Sequence, residues 1–169
     1  KGLLLAAIRD DDPVIFCEAK GVLMQRGEVP EGDYTIPIGQ AKVVRAGGDV
    51  TLVAFGATVA VALAAAEQLA REGTEAEVLD LRSLQPLDEA AILSSLEKTG
   101  RLVVVDESTP RCGIASDVAA LCVDRGFDFL NAPVKRVTAP HTPVPFAAIL
   151  EDAFRPSAEK VIAAVREMG

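Results

Sequence analysis

Between Asp49 and Glu107 the chain alternates short apolar runs with longer amphipathic ones. Val50–Phe55, Ala76–Leu81 and Arg101–Asp106 are too short for helices, rich in Val and Leu, and closed by Gly or polar residues, so the pattern predicts strands. Val59–Glu72 and Asp88–Lys98 place Ala, Leu and Ile three and four residues apart with charges opposite, and Gly73 and Gly100 follow. The pattern predicts helices stopped by glycine. Strands that return parallel need helical crossovers, and near-continuous apolar strands need cover on both faces. The expected fold class is α/β: a three-layer, mostly parallel sheet with helices on both faces.

Downstream, Ile114–Asp124 reads as a helix, Val134–Thr138 as a fourth core strand, and Ser157–Glu167 as a terminal helix capped by Ser157. Upstream, Ala41–Arg45 reads as a lead-in strand turned by Ala46–Asp49 onto the first core strand, giving an antiparallel edge pair. Residues 18–39 carry four Gly and two Pro without periodicity and read as a linker over a surface. Gly2–Arg9 reads as the second half of a helix, stopped at Asp10–Pro13, and Val14–Cys17 as a buried strand. A strand without a sheet of its own implies a neighbouring domain and a longer protein. The expected organisation is therefore the end of one domain plus a linker over 1–38, and a second domain over 39–169.

Composition narrows the function classes. With 169 residues there is room for one full core, and the 4% of aromatics, with no Trp, means a core of Ala, Val, Leu and Ile. The net charge of −8, without any basic run, disfavours nucleic acid as a partner. No apolar run approaches the roughly 20 residues of a membrane span. Three cysteines, Cys17, Cys112 and Cys122, lack the spacing of a zinc or disulfide framework and suit a reduced, cytoplasmic protein.

Candidate chemistry is sparse. His141 lies between prolines without an evident partner, which favours a structural over a general-base reading. Gly56 follows the first core strand, but no G-x-G-x-x-G is present, so a dinucleotide site is not expected. Asp10–Asp12 offer oxygen ligands to a hard cation, although spacing alone favours a solvated turn. Cys112 beside Arg111 and a helix start could be an activated thiol, yet no base accompanies it.

Longer strings carry a resemblance. Gly2–Phe16 (GLLLAAIRDDDPVIF) resembles the end of the pyrimidine-binding domain in the β subunit of thiamine-diphosphate-dependent 2-oxo acid dehydrogenases. Tyr34–Ala41, Gly48–Gly56, Glu77–Asp88, Lys98–Glu107 and Ala132–Pro140 resemble that subunit's transketolase-type C-terminal domain. Val137–Phe146 is most similar to acetoin-type members. The resemblance implies an oxidoreductase component that acts on a 2-oxo acid or acetoin and reductively acylates lipoyl groups. It implies an α subunit and a second β subunit in an α2β2 tetramer, and docking of the subunit-binding domain of the lipoyl acyltransferase.

By the same resemblance, thiamine diphosphate and magnesium belong to the parent complex and not to this chain alone. Potassium would be held partly by the carbonyl at Ala7 and side-chain oxygens at Asp10 and Asp12, where branched-chain members have Asn at the last position. Two other readings stand beside this one. The residues alone permit a stand-alone α/β ligand-binding or regulatory module, and the resemblance also permits part of another transketolase-type enzyme.

Overall fold

The computed structural model describes residues 1–169. In chain order its elements are α1 (Gly2–Arg9), β1 (Lys42–Arg45), β2 (Val50–Ala54), α2 (Thr58–Arg71), β3 (Ala76–Asp80) and α3 (Glu89–Thr99). They continue with β4 (Leu102–Asp106), α4 (Ile114–Arg125), β5 (Lys135–Thr138), α5 (Ala148–Phe154) and α6 (Ala158–Arg166). The strands form one sheet in the order β1-β3-β2-β4-β5, parallel except for β1. No helix is long and apolar enough to cross a membrane.

Alternation along each strand builds the layers. Val50, Leu52, Ala54, Val78, Val103 and Val105 pack against α2 and α6, whereas Val53, Leu79, Leu102 and Val104 pack against α3 and α4. Successive side chains of a strand point to opposite faces, so a strand buried on both must be apolar throughout. Each helix lies over the sheet through its own stripe: Ala62, Ala65, Ala66 and Leu69 on α2, Ile92 and Leu96 on α3. The expected fold class is the observed one.

Local signals place the helix ends. Asp88 caps α3 by accepting from the Ala91 N–H at 3.0 Å, and Ser157 caps α6 by accepting from the Lys160 N–H at 3.4 Å. Gly100 closes α3 at φ +67°, a left-handed conformation that costs glycine nothing and a β-carbon dearly.

Two expectations need correction. β1 is an antiparallel edge strand, but it pairs with β3 and not with β2. Both edges of β2 are taken by parallel partners, β3 and β4, so a hairpin neighbour has no ladder left to join. The Ala46–Asp49 turn instead passes under the start of β3: Gly48 and Asp49 donate to the Glu75 carbonyl, and a β-carbon at Gly47 would collide with the Ala76–Glu77 peptide. Second, Val14–Cys17 is extended and exposed, not a buried strand, with Ile15 91% exposed. Nothing in this chain offers it a ladder. Beyond these, α5 adds a helix over a stretch with no stated expectation: its seven residues hold no cap and only two helical turns.

The N-terminal segment is organised around α1. Residues 30–36 fold back along it: the Gly2 carbonyl accepts from Ile36 N–H at 3.2 Å, Lys1 donates to the carbonyls of Pro30 and Gly32, and Arg9 grips Asp33 with two contacts of 2.9 Å. Tyr34 and Ile36 crowd Gly2 so closely that no β-carbon fits there.

Candidate functional site

In an open parallel sheet the natural place for a ligand is the carboxyl edge where strand order reverses. Here that point lies between β2 and β4, because β3 departs to one side of β2 and β4 to the other. The crevice is closed by the chain itself. Thr58, at the start of α2, sets its buried hydroxyl 2.9 Å from the Phe55 carbonyl and 3.0 Å from that of Val105, bridging the ends of the two strands. Asp106, buried at the end of β4, accepts from Ser108 N–H at 2.8 Å and from Ala115 N–H at 3.1 Å. It serves as the missing cap of α4, whose own N-cap position is Gly113.

The loop after β4 is tied down as well. Arg136 donates to the Pro110 carbonyl and to Ser116 Oγ, both at 2.8 Å, and Ala139 N–H reaches the Ser108 carbonyl. Cys112 stands exposed on this loop at φ +56°, and no group of three metal-ligating side chains forms around it. Cys122 is buried among Ile92, Leu96 and Val118, and burial pushes its thiol up to about 11, so it remains a protonated packing residue. His141 is exposed and makes no side-chain hydrogen bond to the protein.

A cleft of about 480 Å³ opens beside the plugged edge. Its floor is Ala57 and the first turns of α2, with Thr58, Ala60, Val61 and Ala64; Val22 and Gln25 form one flank, Asp152 and Arg155 the other. The Arg155 guanidinium donates to Asp152 at 2.7 Å, and that bond holds it above its usual pKa. Close in sequence to these flanks stand uncovered apolar side chains, Met24 beside Gln25 and Phe146 and Ile149 ahead of Asp152, with Phe146 wholly exposed. An apolar surface of this extent is what an assembly interface presents.

The predicted cation residues stand together at the end of α1. Ala7 lies in its last turn, where carbonyls lack intrahelical partners, and Asp10 is the residue that ends it. Asp10 Oδ1 already accepts from Asp12 N–H at 3.0 Å, and Asp10 and Asp12 are both exposed. The three aspartates do not converge into a three-ligand cluster.

A further polar system escaped the sequence reading. Glu77 on β3 is buried under α3, where Ser95 Oγ donates to it at 2.6 Å and Lys98 pairs with its other oxygen. Thr51 Oγ1 lies 2.7 Å from Ser95 Oγ and 2.8 Å from Thr99 Oγ1, completing the group. The available signal was Glu77 itself, a charge inside an apolar run.

The chain is thus a five-stranded α/β domain with its strand ends tied together at the switch point and a cleft beside them. The chain belongs to the transketolase C-terminal domain family, whose model matches residues 39–161. It is 59% identical over 168 residues to the acetoin:2,6-dichlorophenolindophenol oxidoreductase subunit beta of Bacillus subtilis, covering 99% of this chain and 49% of that protein. It is 45% identical to the 2-oxoisovalerate dehydrogenase subunit beta of the same bacterium, over 99% of this chain and 52% of that protein. Identity to the mitochondrial pyruvate dehydrogenase E1 component subunit beta-1 of Arabidopsis thaliana is 44%, over 97% and 46%. A solved split-gene transketolase, described as an inactive beta4 tetramer, superposes with a TM-score of 0.71 at 32% identity, covering 84% of this chain and 45% of that one. The chain spans about half the length of the curated relatives it matches.

Proposed function

We propose that this chain is the C-terminal part of the β subunit of a thiamine-dependent acetoin or 2-oxo acid dehydrogenase component, with residues 1–38 the end of the preceding domain plus linker and 39–169 the transketolase-type domain. The observation that carries the reading is the 59% identity, over nearly the whole chain, to an acetoin oxidoreductase β subunit. Thiamine diphosphate, when bound, would supply stabilisation of a carbanion at the former carbonyl carbon. No residue of this chain is assigned to its diphosphate or to magnesium.

The role of this part is assembly. The uncovered apolar side chains Met24, Phe146 and Ile149 support contacts with an α subunit and a second β subunit, in an α2β2 arrangement. Docking of the subunit-binding domain of a lipoyl acyltransferase completes the set of partners. Co-expression of the full-length polypeptide with its α partner, followed by dye reduction with acetoin, pyruvate and 2-oxoisovalerate, tests the reading. Turnover of acetoin above both oxo acids is expected; thiamine-independent activity, or none with any of the three, overturns it.

The oxygen set of Ala7, Asp10 and Asp12 suits a hard, weakly bound cation such as potassium. A bound ion stabilises the state that binds it. Potassium is expected to raise the melting temperature of the full-length polypeptide, and Asp10→Ala to abolish that rise. An unchanged potassium response in the variant reduces the segment to a solvated turn.

A further inference from the structure

We infer that Lys98 is a charge-gated latch, and that acylation of its amine by an acyl thioester releases α3 from the sheet. Glu77 is buried, with its side chain 3% exposed, and Lys98 is the one cation in hydrogen-bond reach of it. The Lys98 side chain is 48% exposed. A buried anion is thus neutralised by a counter-ion that reagents in solution can reach. Ser95 spends its single proton on Glu77, so Thr51 donates to Ser95, and the whole group is aligned by the charge at its end.

The other five lysines are placed differently. Lys1 and Lys160 donate to backbone carbonyls, Lys135 pairs with the exposed Glu167, and Lys20 and Lys42 make no side-chain hydrogen bond. Neutralising Lys1, Lys20, Lys135 or Lys160 strands no buried charge, and Lys42 shares the half-buried Asp80 with Arg82. Neutralising Lys98 leaves Glu77 with Ser95 alone, and breaking a buried pair from one side costs far more than the pair itself contributes.

Release would be felt at both ends of α3. Asp88, which caps the helix, also accepts from Ala41 N–H at 2.9 Å and so anchors the segment that leads into β1. In the chemical step the ammonium first gives a proton to solvent; the amine then forms a C–N bond with the acyl carbon. The C–S bond breaks, and the thiolate leaves with the second proton.

The test uses the full-length polypeptide with Lys98→Gln, Lys98→Arg and the double variant Glu77→Gln/Lys98→Gln. Lys98→Gln, which mimics the acylated side chain, is expected to lower the melting temperature by about 4–8 °C and to speed amide exchange in residues 89–99. Lys98→Arg should stay near wild type, and the double variant should recover most of the loss. Incubation with acetyl-coenzyme A should acetylate Lys98, as read by peptide mass, and the molecules carrying the modification should melt with Lys98→Gln. If Lys98→Gln does not fold, folding of the double variant upholds the latch. A double variant no better than Lys98→Gln, a Lys98→Gln that melts with wild type, or acetylation that spares Lys98 while taking other lysines overturns it.

Discussion

Val50–Ala54 and Val14–Cys17 are similar in apolar character and opposite in fate. The first is buried along its whole length as the central strand; the second lies extended in solvent. Their difference is in partners. β2 has a parallel strand on each edge and a helix layer on each face, whereas no strand of this chain pairs with Val14–Cys17. Extended apolar backbone becomes a stable strand only where its hydrogen bonds and both faces are satisfied by other segments.

The sharpest way to break that contrast is truncation at one position in each segment. Leu52→Ala should destabilise the chain by about 2–5 kcal/mol, because it opens a cavity between the sheet and α2. Ile15→Ala should stay within about 0.5 kcal/mol by the same urea titration. Equal losses at the two positions would mean that Val14–Cys17 is buried in solution after all.

Asp106→Ala asks whether the closed switch point belongs to the core. Losing the acceptor of Ala115 N–H and Ser108 N–H should cost about 1–2 kcal/mol, and Asp106→Asn, which keeps one acceptor oxygen, about half of that. Chemical denaturation of the three proteins measures it, and a neutral Asp106→Ala would reopen the crevice as a ligand site.

At the edge of the sheet, Asp80 has its pKa raised from 3.8 by burial, against the lowering effects of the Arg82 N–H and of the Arg82 and Lys42 charges. The folded state therefore holds its proton more tightly than the unfolded state. The contribution is fully present below pH 3.8 and is lost as pH rises through the raised folded value. Asp80→Asn should remove this component from the pH–stability curve while keeping the oxygen that accepts from Arg82 N–H. A curve identical to wild type above pH 3.8 would refute the assignment.

The smallest effect belongs to the arm. Arg9→Ala breaks an exposed pair with Asp33 and should cost about 0.2–1 kcal/mol in low salt, less at high salt. A loss insensitive to salt would show that the arm is held by packing at Gly2 and Ile36 instead of by charge.

Local patterns suffice for the elements of the sheet domain, because each strand and helix of residues 50–125 carries its own period, cap or glycine stop. Asp88, Gly100 and Ser157 act within a few residues of themselves, and local rules reach that far. The resemblance of long ordered strings then led to the family. Long-range packing settles everything that depends on which segments meet. β1 joined β3 because β2 had no free edge, Val14–Cys17 found no ladder, and Thr58 and Asp106 closed the crevice that strand order had opened. The Glu77–Lys98 latch belongs to the same class. Its members are 21 residues apart in sequence and meet only because α3 crosses the sheet, which no local period can encode.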